Sequence, residues 1–122
     1  LIQDLSFPVT LKIIDTVREE DGLAMSSRNK RLDVAARAAA PKIYQSLLKA
    51  AELSGFMALK AVKEEMLIAL SKDPLIKPEY LEFVDFETGK VVEGLEPGHK
   101  YGICVAATVG NVRLIDNIII NS

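Results

Sequence analysis

Two adjacent hydroxyls and a guanidinium stand together in a polar stretch near the start of the chain. Residues 16–29 read TVREEDGLAMSSRN, and neither the alternation of a strand nor the periodicity of a helix runs through residues 18–31. Main-chain amides, the Ser26 and Ser27 hydroxyls and the Arg28 guanidinium can together hold a polyphosphate. Gly22 would let this segment move. We call Met25, Ser26, Ser27 and Arg28 the 25–28 loop, and its residue types predict a phosphate-binding loop.

Helix capping is the alternative role for the same polar residues. Ser26, Ser27 and Asn29 could cap the helix that follows. Arg28 would then form a surface ion pair with one of the nearby acidic residues Glu19, Glu20 and Asp21. A short motif has a real rate of chance occurrence, so the residues alone support the two interpretations about equally.

The composition places limits on the class of protein. The 122 residues are 49% hydrophobic and 26% charged, as expected for one globular domain with a substantial core. A net charge of -2 argues against general binding to nucleic acid or to anionic membranes. No aromatic residues interleave with the basic residues Arg28, Lys30 and Arg31, so we expect Lys30 and Arg31 to be solvated.

Cysteine usage and the ends of the chain bear on location. Cys104 is the only cysteine and lies in an apolar run, which indicates a reducing, cytoplasmic location without disulfides. No apolar run approaches the roughly 18 residues of a membrane span. The chain starts at Leu1 without an initiator methionine, so we expect a fragment of a longer protein.

The pattern along the chain predicts an α+β fold. Residues 8–14 alternate as in a strand, and helices are predicted over residues 34–40, from Pro41 to before Gly55, and over 56–70. Asp33 is the expected N-cap of the first helix. Strands are predicted over 80–86, 101–109 and 112–120, the last two joined by a tight turn at Gly110 and Asn111. We therefore expect two layers, a three-stranded antiparallel sheet covered on one face by helices.

Three segments carry a resemblance to a known family. TVRE (16–19), DGLAMSSRN (21–29) and RLIDN (113–117) together resemble the C-terminal half of the pantoate-beta-alanine ligase family. The Met-Ser-Ser-Arg segment is similar to the KMSKS-type loop of class I aminoacyl-tRNA synthetases and nucleotidylyltransferases. Asp15 and Arg31 depart from the proline and tyrosine usual at these positions in the family.

The resemblance implies a reaction and site residues. Pantoate and ATP would give pantoyl adenylate with Mg²⁺ assisting, and β-alanine would then displace AMP to form pantothenate. Met25, Ser26, Ser27 and Arg28 would contact the ATP phosphates, with Arg28 the main catalytic candidate. Val17 would lie near the adenine through its backbone.

The resemblance also implies a division into domains. Residues 1–17 would be the remnant of a Rossmann-type nucleotide-binding domain together with a hinge, and residues 18–122 a lid domain that is inactive alone. The missing domain would hold pantoate, β-alanine and most of the Mg²⁺ contacts, and the whole protein could be a homodimer. Closure of the lid is expected to bend the chain at residues 18–22.

A few further residues carry weaker signals, and two other classes of function fit the sequence. A lone turn histidine such as His99 is usually solvated, and it is given no role. Asp116 and Asn117 interrupt an apolar strand and are expected to anchor a turn or loop. The alternatives to an enzyme are a non-catalytic nucleotide-binding module and an interaction domain that pairs strand 9–14 with a second copy.

Overall fold

The computed structural model describes residues 16–122, which form three α-helices, a short 3-10 helix and three strands. The α-helices are α1 (Val34–Ala39), α2 (Lys42–Leu53) and α3 (Leu59–Ser71), and the 3-10 helix is Ser27–Arg31. The strands are β1 (Ile76–Asp85), β2 (Lys100–Val109) and β3 (Val112–Asn121). The strand predicted over residues 8–14 lies outside the described residues.

The helices begin where local hydrogen bonds favour them. Asp33 caps α1 as expected, since its side chain accepts a 2.8 Å hydrogen bond from the Ala36 amide. The third helix starts at Leu59, later than predicted, because the amides of Phe56 and Met57 both donate to the Leu53 carbonyl and prolong the end of α2. Ala58 is then extended, and α3 begins after it.

The sheet is antiparallel with the order β1-β2-β3, so β3 is an edge strand. Val109 pairs with Val112 across the predicted two-residue turn, where Gly110 has a φ of 62°. Strand β1 starts at Ile76, four residues before the predicted start, and carries an irregularity between Pro78 and Tyr80. Proline is tolerated there because β1 is also an edge strand and the register shifts beside it.

A single apolar core joins the helices to one face of the sheet. Ile43 and Leu47 of α2 and Val62 of α3 are almost fully buried. They belong to the same buried cluster as the sheet residues Leu81, Phe83, Ile103, Val105 and Ala107. The two-layer α+β architecture predicted from the sequence is confirmed. None of the helices in residues 16–122 has the length and apolar character to span a membrane.

Candidate functional site

A tight turn leads the chain into the 25–28 loop. The Glu19 amide donates to the Leu23 carbonyl at 2.8 Å, and the Gly22 amide donates to the Glu19 carbonyl at 3.0 Å. The turn closes with a bridge between Arg18 and Ala24 and with a 2.8 Å bond from the Met25 amide to the Val17 carbonyl. These bonds tie the start of the loop to the residue predicted to lie near the adenine.

The 25–28 loop itself is solvent-facing. Ser26, Ser27 and Arg28 are exposed, and Met25 is 53% exposed. Ser26 has an extended backbone, and its Oγ accepts a 3.1 Å bond from the Arg28 amide, which caps the 3-10 helix. The hydroxyl proton of Ser26 can therefore be donated to another acceptor.

Asn29 supports the loop from behind. Its Nδ2 donates to the Ala24 carbonyl at 3.0 Å. Its Oδ1 is buried and accepts no hydrogen bond from any of the residues described. Next to the 25–28 loop there is therefore a buried amide oxygen that has no hydrogen-bond partner among the described residues.

Arg28 has no carboxylate partner among residues 16–122. Its Nη1 donates a long hydrogen bond of 3.4 Å to the Arg113 carbonyl, whereas Arg18, Arg37 and Arg113 each pair with an acidic side chain. The capping half of the alternative interpretation is thus correct, because Ser26 caps a helical turn. The ion-pairing half is wrong, since Arg28 pairs with none of the three acidic residues that precede it.

Asp21, one of those acidic residues, pairs with Arg37 of α1 instead. The two side chains form bonds of 2.7 and 3.3 Å. The Arg37 guanidinium, helped by the Leu23 amide and opposed by partial desolvation, lowers the pKa of Asp21 below its usual 3.8. The surface of the turn is therefore held to α1.

On its inner side the turn is fixed by Arg18, which sequence reasoning did not single out as a site residue. Nη1 and Nη2 bind the two carboxylate oxygens of Asp116 at 2.6 and 2.9 Å. They also donate to the Gly22 and Asn117 carbonyls, each at 3.1 Å. The guanidinium carbon lies 3.9 Å from the centre of the Tyr44 ring.

These contacts bear on two expectations. The anchoring role expected of Asp116 is confirmed, since its carboxylate holds Arg18 and also accepts the Asn117 amide at 2.7 Å. The bend expected at residues 18–22 on closure stays a prediction. Four hydrogen bonds and one ring contact fasten Arg18 to β3, to its own turn and to α2.

A groove of about 570 Å³ separates the 25–28 loop from the sheet. Met25, Ser26 and Arg28 line it on the loop side, while Ser27 and Val17 are not among its lining residues. Val17 is 69% exposed. On the sheet side the groove is lined by Tyr80, Cys104, Arg113, Ile115 and Asn117. Three of these, Arg113, Ile115 and Asn117, belong to the RLIDN segment that carries the family resemblance. Nothing in the sequence marks Tyr80 or Cys104 as a site residue.

Two titratable side chains on the sheet side of the groove, Cys104 and Tyr80, have raised pKa values. Burial, reinforced by Asp116 and Glu82, raises the pKa of the Cys104 thiol to about 12, so the thiol is neutral near pH 7. Burial also raises the pKa of the Tyr80 hydroxyl. Residues 16–122 contain no group of three or more His, Cys, Asp or Glu side chains that could hold a metal ion. His99 lies exposed in a turn and does not line the groove.

The fold and the groove define a small α+β domain that presents an arginine and serine hydroxyls at the edge of its sheet. Residues 1–119 match the family model described as pantoate-beta-alanine ligase. The chain belongs to this family, and the resemblance seen in its sequence is confirmed.

Relatives agree with the family match along the whole chain. The pantothenate synthetase of Thermosipho melanesiensis is 46% identical over 98% of this chain and 42% of its own length. The bifunctional pantoate ligase/cytidylate kinase of Synechocystis is 36% identical, with 24% of its length covered. This chain thus spans well under half the length of the curated relatives it matches.

Solved structures show the same relationship. The pantothenate synthetase of Thermus thermophilus superposes with a TM-score of 0.73 at 36% identity, over 96% of this chain and 42% of that one. The pantoate-beta-alanine ligase of Francisella tularensis, complexed with beta-gamma ATP and beta-alanine, gives a TM-score of 0.53 at 25% identity. That alignment covers 97% of this chain and 36% of the Francisella chain.

Proposed function

We propose that this chain is the C-terminal lid domain of an ATP-dependent ligase that condenses pantoate with β-alanine. A carboxylate oxygen of pantoate attacks the α-phosphorus of ATP, and the bond to the β-phosphate oxygen breaks, so pyrophosphate leaves and pantoyl adenylate forms. The β-alanine amine then attacks the acyl carbon, loses a proton, and expels AMP to give pantothenate. Such a reaction needs groups that position and neutralise phosphates.

The observation that carries the proposal is that Arg28 borders the groove without an acidic partner among the described residues. Arg28 lines the groove, and its guanidinium has no carboxylate partner among residues 16–122. A charge-assisted hydrogen bond from such a group to a phosphate oxygen is worth about 1.5–3 kcal/mol. The pantoate-beta-alanine ligase of Francisella tularensis, which aligns over 97% of this chain, is complexed with beta-gamma ATP, and this supports ATP as the source of that phosphate.

The other loop residues complete the phosphate contacts. The Ser26 hydroxyl is free to donate because its oxygen already accepts the Arg28 amide. Ser27 begins the 3-10 helix and is exposed next to it, and Met25 borders the groove. We assign all four residues of the 25–28 loop to the ATP phosphates.

Val17 is proposed to lie along the adenine. Its carbonyl accepts the Met25 amide, and a carbonyl oxygen has a second lone pair that can accept from the adenine amino group. One backbone bond therefore links the adenine side of the proposed site to its phosphate side.

Magnesium is proposed to bind mainly outside this domain. The described residues do not fit a metal site, because they offer no cluster of three candidate ligands. Mg²⁺ prefers carboxylate, water and phosphate oxygens. Pantoate and β-alanine are likewise assigned to the part of the relatives that this chain does not span.

Product analysis tests the overall reaction. The full-length protein that contains this chain is incubated with ATP, Mg²⁺, pantoate and β-alanine, and pantothenate, AMP and pyrophosphate should form in equal amounts. ADP and phosphate as products would contradict an adenylate intermediate. Residues 1–122 alone should form no pantothenate, and product from them would contradict a lid role.

A further inference from the structure

We propose that Arg18 is the positioning residue of the 25–28 loop. By fixing the preceding turn to the edge strand β3, Arg18 keeps the phosphate-binding residues of the loop beside the sheet. This inference rests on the proposed function. Arg18 and Arg28 belong to the same polar stretch, yet one is fully engaged with protein groups while the other lacks a carboxylate partner in residues 16–122. This difference indicates that Arg18 positions the loop and that Arg28 contacts the phosphates.

Arg18 is not itself available for phosphate. Each of its two terminal nitrogens already makes two hydrogen bonds, one to Asp116 and one to a main-chain carbonyl. One face of the guanidinium is covered by the Tyr44 ring at 3.9 Å. The Arg18 side chain is 18% exposed and that of Asp116 is 3% exposed. An ion pair this enclosed fixes its partners more firmly than an exposed pair does.

The fixation extends from Arg18 to the loop through short connections. Arg18 holds the Gly22 carbonyl, and the turn closes with the bond from the Met25 amide to the neighbouring Val17 carbonyl. Gly22 lies so close to Tyr44 that an added Cβ would stand 2.4 Å from Cδ2 of the ring. The same ring that covers Arg18 therefore also limits where the turn can go.

Lysine cannot replace arginine in this role. An ammonium has no planar fork for a bidentate carboxylate and cannot stack on a ring in the same way. Without these contacts the turn, and with it the 25–28 loop, could shift. A misplacement of a catalytic group by about 1 Å can lower a rate about 100-fold. Arg18→Lys keeps the positive charge but loses the bidentate bond to Asp116 and the stacking on Tyr44. The variant therefore tests the positioning role separately from the charge.

The test uses the full-length protein with Arg18→Lys and a control, Val62→Ala. Val62 is fully buried in α3, away from the groove, so its variant destabilises the domain without touching the loop. Two quantities are measured: pantoate-dependent exchange of pyrophosphate into ATP, and hydrogen exchange at the Glu19 and Met25 amides, which close the turn. Both are measured well below the unfolding temperature of each variant.

Arg18→Lys is expected to lower kcat by about 10- to 100-fold, and to speed exchange at the two turn amides by about tenfold or more while β2 and β3 stay protected. Val62→Ala should leave kcat and the turn amides unchanged. The proposal is overturned if Arg18→Lys lowers kcat without changing the exchange rates of the two turn amides. It is also overturned if these amides exchange faster and kcat stays the same.

Failure of this inference can be told apart from failure of the proposed function. If Arg28→Ala leaves pyrophosphate exchange intact, the phosphate role of the 25–28 loop is wrong, whatever Arg18 does. If Arg28→Ala abolishes exchange and Arg18→Lys has no effect on it, the loop binds phosphate but Arg18 does not position it.

Discussion

Arg18 and Asp116, 98 positions apart in the sequence, form a bidentate ion pair with bonds of 2.6 and 2.9 Å. The pair joins the turn that precedes the 25–28 loop to the edge strand of the sheet. Because Met25 is in turn bonded to Val17, residues 17–25 are fastened to the domain as one unit. If the domain closes over a nucleotide, we expect residues 17–25 to move with it as one unit.

Removal of the Arg18 side chain should destabilise the domain strongly. Arg18→Ala leaves the buried Asp116 carboxylate without its cation, and breaking such a pair costs about 3–5 kcal/mol. Arg37→Ala removes a similar pair on the exposed surface and should cost at most about 1 kcal/mol. Urea unfolding of residues 1–122 measures both values, and equal losses would show that burial of the Arg18 pair is energetically unimportant.

Gly22 should not tolerate a side chain. Its φ of +94° is unfavourable for other residues, and an added Cβ would clash with Tyr44 at 2.4 Å. Gly22→Ala is expected to lower the free energy of unfolding by about 1–3 kcal/mol. Gly94→Ala is the matched control, since nothing lies within 4 Å of its Cβ position, and it should be neutral or slightly stabilising. A stable Gly22→Ala variant would mean that the turn is free to move.

The Cys104 thiol should be unreactive in the folded protein. Its pKa is raised to about 12 against an ordinary 9.0, so the folded state keeps the neutral thiol while the unfolded chain ionises above pH 9. The corresponding stability is present below pH 9 and is lost as the pH rises toward 12. Alkylation by iodoacetamide at pH 8 should be slow in buffer and fast in urea. Equal rates would show that the thiol is accessible and its pKa normal.

Asp21 should titrate below its usual pKa of 3.8, because Arg37 hydrogen-bonds to its carboxylate. A lowered folded-state pKa means that the unfolded chain binds the proton first, so this contribution to stability is present above pH 3.8 and is lost as the pH falls below it. Carboxyl carbon chemical shifts followed by NMR titration measure the pKa. Arg37→Gln should move it upward, and no movement would mean that the pair does not form in solution.

Elements with a strong local signal could be predicted from the sequence. The helix that follows Pro41, the Asp33 cap and the Gly110-Asn111 turn all lie where predicted. The start of β1 was missed because Pro78 resembles a strand breaker, and only the pairing with β2 shows that the strand continues through it. The start of α3 was missed because the amides of Phe56 and Met57 donate to the Leu53 carbonyl, so these two residues prolong the end of α2 instead of beginning α3.

The candidate site could be predicted only in part. The residue types of the 25–28 loop mark it in the sequence, and the structure exposes the loop beside a groove. The partner of Arg18 could not be predicted, because Glu19, Glu20 and Asp21 are all nearer in sequence than Asp116. Only the packing of the turn between α2 and β3 selects Asp116.

The phosphate role of Arg28 is the central claim, and pantoate-dependent exchange of pyrophosphate into ATP by the full-length protein tests it most directly. Arg28→Ala should lower kcat at least about 100-fold, since it removes a contact to developing charge on the phosphates. Arg31→Ala is the control, because Arg31 lies exposed on the same 3-10 helix outside the groove, and its variant should retain exchange. Exchange at an unchanged rate in Arg28→Ala would contradict the claim.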